Sequence, residues 1–283
     1  MNISCLIVLY KKNFSECIAV ESILSFSQPS LIKRLTIWDN SPESQSDIEI
    51  DRLRLSLAKI GIELFYSSNP ENIVLSKVYN RFLSLEKLMS DYCLLFDDDS
   101  CIDFDFIDKL AKVLNTSTHY DLILPIVKYK GQIVSPSKRI YMKGWFYKEL
   151  KSGPISSRFL SAINSGMVIS SNYLRLTNFV YDERLVSYGT DDQFITEFSN
   201  NHGTAFVLDY SLEHELTLSM QNKNSLILKM RYLTMLKSWK IIFGKNAFSY
   251  FLVESYIFFH SLFISLKYKD FSYFFTAIGN SNK

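Results

Sequence analysis

Three consecutive carboxylates, Asp97, Asp98 and Asp99, follow the apolar run YCLLF at residues 92–96. Adjacent negative charges repel one another, so a buried strand that ends on them needs solvent or a cation there. Carboxylate oxygens are hard ligands suited to Mg²⁺ or Mn²⁺, and Mg²⁺ sites commonly combine one or two of them with substrate phosphates. The same three residues would also serve as a solvated acidic loop ahead of the helix expected from Phe104. A second acidic pair, Asp191 and Asp192, stands in YGTDDQF (188–194) just before a helical pattern, either as an N-cap or as a positioned general base. Asp39, in IWDNS (37–41), closes another apolar run and is either a turn residue or an acceptor for a nucleobase N–H. His214, in LEHELT, is a metal ligand or a surface histidine.

The elements that must position these groups alternate in type. Strands are expected at 3–10, 34–41, 62–68 and 92–96, separated by helical patterns near 13–24, 51–60 and 72–88, and followed by a helix at 104–115. Such alternation implies βαβ units and a mostly parallel, Rossmann-like sheet flanked by helices, an α/β fold. Ligands in these sheets bind beyond the carboxyl ends of the strands, which places Asp39 and Asp97–Asp99 on one rim. The second half reads as strands at 121–130 and 204–210, a small-residue turn entering a strand at 161–170, a helix at 192–201, and helical periodicity from Ser225 onward.

With 47% hydrophobic residues, 15% aromatics and only 9 Gly, the 283-residue chain has enough apolar material for a sizeable core. Cys5, Cys17, Cys93 and Cys101 lack CxxC spacing and read as reduced thiols of a cytoplasmic protein. The N-terminal apolar stretch has no preceding basic region or small-residue cleavage site, and reads as a strand rather than a secretory signal. Charge is uneven. Residues 223–283 hold nine Lys/Arg against Glu254 and Asp270, a net of +7, which leaves −5 for the rest of a chain whose total is +2. The stretch 248–266 is long enough for a membrane span, but Glu254 and His260 within it favour a buried or interfacial amphipathic helix near anionic headgroups.

Taken in order, CLIVLYKK, IWDNSP, NPENIVLSKVYNRFL, LLFDDDS, INSGMVIS, YDERLVSYGTDDQF and LEHELTLS resemble the inverting family 2 glycosyltransferases of the GT-A fold. The similarity is greatest to bacterial polysaccharide and O-antigen enzymes of the rhamnosyltransferase type. It spans residues 3 to about 219 and extends more loosely through LKYKDFSYFFTAIGNS. The resemblance implies a catalytic domain over 1–220 and a basic, aromatic helical region over 221–283 for membrane association or oligomerisation. It implies that Tyr10 and Asp39 line the nucleotide base with Asn80 supporting that pocket. Asp97 and Asp98 would face the sugar-nucleotide, Asp99 with Asp97 and His214 would serve the divalent metal (Mg²⁺ or Mn²⁺), and Asn164, Ser165 and Gly166 would border the acceptor. Asp191 matches the Asp of the family's Glu-Asp pair and would deprotonate the acceptor hydroxyl. Two departures stand out: Thr190 replaces the usual Glu, which leaves Asp191 or Asp192 as the base, and VLSKVYN is a loose version of the helix after the third strand.

The function so implied is metal-dependent, inverting transfer from a dTDP- or UDP-sugar to a glycan or lipid-linked acceptor in surface polysaccharide synthesis, at the inner face of the plasma membrane, by a monomer or homo-oligomer. A sugar-nucleotide nucleotidyltransferase would need a Gly-rich basic phosphate loop, and LYKKNFSE has no Gly. A non-catalytic sugar-nucleotide-binding protein or scaffold of the same fold is the reading from another class, against which the two intact acidic clusters count. Nucleic-acid binding calls for basic residues around the main cleft, and this cleft is acidic.

Overall fold

The computed structural model describes residues 1–26, 31–213 and 225–279. In chain order the strands are β1 (Ile3–Leu9), β2 (Ile32–Asp39), β3 (Glu63–Ser68), β4 (Tyr92–Phe96), β5 (Leu122–Tyr129), β6 (Gln132–Ser135), β7 (Ser137–Ile140), β8 (Lys143–Phe146), β9 (Gly153–Ile155), β10 (Leu160–Ser161), β11 (Met167–Ser170) and β12 (Ala205–Glu213). The helices are α1 (Ile18–Leu24), α2 (Asp47–Lys59), α3 (Leu75–Met89), α4 (Phe104–Leu114), α5 (Ser171–Thr177), α6 (Thr190–Asn200), α7 (Ser225–Phe243), α8 (Ala247–Tyr268) and α9 (Ser272–Gly279).

A nine-stranded sheet runs in the order β3-β2-β1-β4-β11-β5-β12-β9, with β6 paired to β5 beyond the end of β11. β1 to β4 are mutually parallel, as are β5 and β12. The sheet is mostly parallel, as expected, with one intrusion that local pattern does not reveal: β11 lies antiparallel between β4 and β5. Strands buried on both faces need apolar residues at every position rather than alternation, and β4, with all five residues buried, meets that demand.

The two faces of the sheet are covered separately. Ile3, Cys5 and Ile7 of β1 point to a core completed by α1, α2 and α4. Leu6 of β1 and Cys93 and Leu95 of β4 point to the other, where α3, α5 and α6 contribute Phe82, Tyr173, Phe194 and Phe198. α2 starts at Asp47, four residues before the periodicity suggests, because Ser46 and Glu49 form a capping box: the Glu49 N–H donates to Ser46 Oγ at 3.3 Å and the Ser46 N–H to the Glu49 carboxylate at 3.2 Å. The S-x-x-E signal for this start is present in SDIE.

β7, β8 and β10 form a small antiparallel sheet in the order β10-β7-β8, the ribbon, while β9 between them pairs with β12 of the large sheet. The final helices α7, α8 and α9 gather their own apolar cluster around Tyr232, Trp239, Val253, Ile257 and Tyr273. α8 is long and apolar enough to cross a membrane by length and composition. Its polar groups are nonetheless tied into the helical cluster. Glu254 pairs with Lys240 at 2.6 Å, and His260 Nδ1 lies 2.9 Å from the Tyr232 hydroxyl while stacking on Tyr256. Burial lowers the His260 pKa, which keeps that imidazole neutral.

Phe106 of α4 joins the strand ends to β12, its fully buried ring lying 5.6 Å from Phe96 and 5.3 Å from Tyr210. Phe106→Ala is expected to cost about 3–5 kcal/mol of unfolding free energy in urea titration, the range for emptying a buried aromatic site.

Candidate active site

The carboxyl ends of β1, β2 and β4 and the N-terminus of α6 face one rim. Asp39 ends β2 in a fully buried position. Its Oδ1 accepts the Ser41 N–H at 2.9 Å, and its Oδ2 accepts the Tyr66 hydroxyl at 2.7 Å and the Gln45 amide at 3.3 Å. Burial and then this bond to Asp39 raise the Tyr66 pKa, so the phenol stays a donor. The carboxylate is thereby locked into the strand ends. Beside it, Lys11–Asn13 and Ser41–Glu43 border an open pocket of about 300 Å³. Tyr10, 45% exposed, stands next to that pocket's first residue, with the Lys11 ammonium 5.1 Å from its ring.

Asp97–Asp99 are partly buried just past β4. The Asp97 carbonyl accepts the Ser100 N–H at 3.1 Å, which closes a tight turn. Lys12 meets Asp98 at 2.8 Å. Burial acts to lower the Lys12 pKa, but its bond to Asp98 and the charges of Asp98 and Asp99 outweigh this and raise it. The carbonyl of Asp98 also accepts the Ala19 N–H at 3.2 Å.

The second acidic pair is divided by its surroundings. Arg139, on β7 and only 8% exposed, holds the Asp192 carboxylate at 3.0 Å and donates to Thr196 Oγ1 at 2.9 Å. Asp191 accepts the Asp192 N–H at 2.9 Å. Burial and the neighbouring Asp192 charge push the Asp191 carboxyl up to about 7; the Asp192 N–H and Arg139 pull against this, and Asp97 adds to it. Asp97 and Asp191 therefore feel each other across the cleft, and both act, after burial, to raise the Tyr79 pKa. Tyr181, fully buried, packs its ring 5.4 Å from Tyr79.

Asn164 donates to Thr190 Oγ1 at 3.0 Å and to the Tyr79 hydroxyl at 3.5 Å, so Thr190 anchors the loop before β11 to α6. Ser165 bonds the Ser100 hydroxyl and joins that loop to the turn after Asp99. Gly166 has φ +79°, and a Cβ there would lie 2.6 Å from Pro125 Cγ, so no side chain fits. Gly189 has φ +89°, and its Cβ would lie 2.7 Å from Ser238 of α7.

The Asn80 side chain donates to the Tyr181 carbonyl at 2.9 Å and accepts the Tyr181 N–H at 2.8 Å. It fastens the segment leading to Asp191. His214 lies outside the described residues. Sequence reasoning missed Lys12, Tyr66, Gln45, Arg139 and Tyr79. Lys12 was legible as a basic residue next to a strand end. Arg139, 53 positions from Asp192, had no local signal.

Among the described residues, no three His, Cys, Asp or Glu side chains converge as a metal cluster. The donor set at Asp97 and Asp99 fits a hard cation held by one or two carboxylates and completed by substrate oxygens.

No protein-family model matches the sequence, and no curated protein matches it. Solved structures do. TarS of S. aureus, residues 1–349 in complex with UDP, superposes with a TM-score of 0.56 at 15% identity, covering 90% of this chain and 69% of that one. The same protein with UDP-GlcNAc gives 0.56 at 14%, covering 99% and 80%. GalNAc-T7 with UDP, GalNAc and Mn²⁺ gives 0.57 at 12%, covering 82% and 48%. These are glycosyltransferases of the GT-A fold, and that is the fold of this chain.

The folded protein holds the Asp191 proton more tightly than an unfolded chain, in which this carboxyl titrates near 3.8. Between roughly pH 4 and pH 7 the native state thus binds more protons, and the stability due to this group is lost as pH rises through that window. Asp191→Asn, which cannot ionise, is expected to melt above wild type at pH 8 and level with it near pH 4 in thermal melts; an equal gap at both pH values would contradict the assignment.

Proposed function

We propose that this protein is an inverting glycosyltransferase that moves a sugar from a dTDP- or UDP-sugar to a hydroxyl of a glycan or lipid-linked acceptor in surface polysaccharide synthesis. The observation that carries this reading is the unequal pair at the N-terminus of α6: Asp192 neutralised by Arg139, and Asp191 held near neutrality opposite Asp97. A general base works best with a pKa near the operating pH.

In this reading the base and ribose occupy the pocket beside Tyr10 and Lys11, with Asp39 bracing its floor through Tyr66 and Gln45. Asp97 and Asp98 line the path of the donor, and Lys12 balances the charge of Asp98. Asp99, with Asp97, would hold Mg²⁺ or Mn²⁺, and His214 is a further candidate ligand. When bound, the cation supplies Lewis-acid stabilisation of the departing diphosphate. Asp191 takes the proton of the acceptor hydroxyl as its oxygen bonds to the anomeric carbon from the face opposite the leaving group. The anomeric C–O bond breaks, and its electron pair leaves with the nucleoside diphosphate. A single displacement inverts configuration and needs no protein nucleophile. Rhamnose follows from the motif resemblance, whereas the UDP in the TarS and GalNAc-T7 structures supports a uridine donor.

Residues 221–283 are proposed to rest on the membrane that carries the acceptor. Phe248, Phe251, Phe259, Phe263 and Leu266 recur along α8 at helical spacing, all more than half exposed, as is Phe275 of α9. Glu254 and Asp270 are paired with Lys240 and Lys229, so the surplus charge is positive and suits anionic headgroups.

Thermal unfolding against UDP, dTDP, GDP and CMP, each with and without Mn²⁺, tests the donor site. UDP or dTDP is expected to stabilise the protein only with Mn²⁺, and Asp99→Ala to lose that shift, because a ligand of the native state raises its stability. For the tail, Phe259→Glu/Phe263→Glu should leave the sedimenting fraction when mixed with phosphatidylglycerol vesicles that retain wild type. Retention of the variant, or a wild-type dimer that ignores the vesicles, would assign the face to another role.

A further inference from the structure

A cavity of about 420 Å³ lies away from the acidic rim. It runs between the ribbon, one side of α6 and the turn from α7 into α8. Its lining holds three cations, Arg139, Arg158 and Lys245, and no carboxylate. That bias is large in a chain with 29 Asp and Glu residues. Arg139 is the shared wall: it grips Asp192 on the rim side and stacks at 5.0 Å over Phe243 on the cavity side. Arg158 lies 4.8 Å over the Phe159 ring, with no acid paired to it among the described residues, and Lys245 reaches Glu197 only at 3.8 Å. Half-exposed Tyr141 and Phe159 complete an aromatic border.

The surroundings extend this bias. Residues 128–158 carry eight Lys/Arg against Glu149 alone, a net of +7 equal to that of residues 223–283, and the cavity lies where these two basic segments meet. It ends at Asn246 and Ser249, on the first turn of α8. From that turn the exposed Phe248, Phe251 and Leu252 begin the apolar face. A cationic, acid-free hollow opening onto an apolar helix matches an amphiphile with an anionic head.

We propose that this cavity is the acceptor's anchoring subsite: Arg158 and Lys245 bind the phosphate or diphosphate head of a lipid-linked acceptor, whose hydrocarbon leaves along α8. The inference rests on the transferase reading for the word acceptor, and on the cavity alone for the amphiphile. Through Arg139, an anchored head sits one side chain away from the acidic pair that would activate the hydroxyl.

The test is calorimetric titration of the full chain in EDTA, with farnesyl diphosphate and inorganic diphosphate as probes, for wild type, Arg158→Ala/Lys245→Ala and Asp99→Ala. Wild type and Asp99→Ala are expected to bind farnesyl diphosphate at least tenfold more tightly than the double variant, and more tightly than inorganic diphosphate. In a separate titration without EDTA, the double variant should still bind UDP with Mn²⁺ like wild type, which reports an intact fold and donor site. Equal farnesyl diphosphate affinity in wild type and the double variant, or no binding by wild type, overturns the proposal. Equal affinity for the two probes also overturns it, by assigning the cavity to a free anion. If UDP fails to bind wild type while the two cations still govern farnesyl diphosphate, the transferase reading falls and the amphiphile site stands.

Discussion

Repulsion among carboxylates is the constraint around which this rim is built. Asp39, Asp97, Asp98, Asp99, Asp191 and Asp192 all gather at one end of the sheet, and two unit charges 4 Å apart near a protein surface interact by about 4 kcal/mol. The fold resolves this piece by piece. Asp39 spends its lone pairs on Tyr66, Gln45 and a backbone N–H. Asp98 takes Lys12, and Asp192 takes Arg139. Asp191, buried beside Asp192 and facing Asp97, meets its share by holding its proton up to about pH 7.

Arg139 ties three parts of the molecule to that solution. It comes from the ribbon, pairs with the first turn of α6, and lies against Phe243 at the end of α7. Gly189 makes a second tie, because its missing side chain lets Ser238 of α7 approach the start of α6. The terminal helices are thus in contact with the element that carries the acidic pair, while their outer face carries the exposed phenylalanines. A fold that holds the proposed base and the proposed membrane contact on touching elements has a direct physical route between them.

Much of the architecture was legible because it rests on short-range pattern. The apolar runs of β1 and β4, the helical spacing of α3 and α4, and the acidic stop at Asp97–Asp99 all follow from neighbours a few residues apart. The early start of α2 was legible too, in its Ser46–Glu49 box. The antiparallel insertion of β11 was not, since a run such as MVIS reads the same whichever way its neighbours point. The ribbon escaped because its strands are two to four residues long and largely exposed.

The sequence by itself determined that carboxylates would cluster at the ends of buried strands, that a second acidic pair would open a helix, and that the tail would be basic and aromatic. Side-chain types and their periodicity are enough for that, because burial and helix or strand geometry act over a few residues. Only the tertiary structure decided which carboxylate of the pair is neutralised, that Asn80 braces Tyr181, and that the tail packs on α6. Each of these depends on a partner dozens of positions away, such as Arg139 for Asp192 and Tyr181 for Asn80. Charge pairing and desolvation act through space, and no local pattern carries the address of the partner.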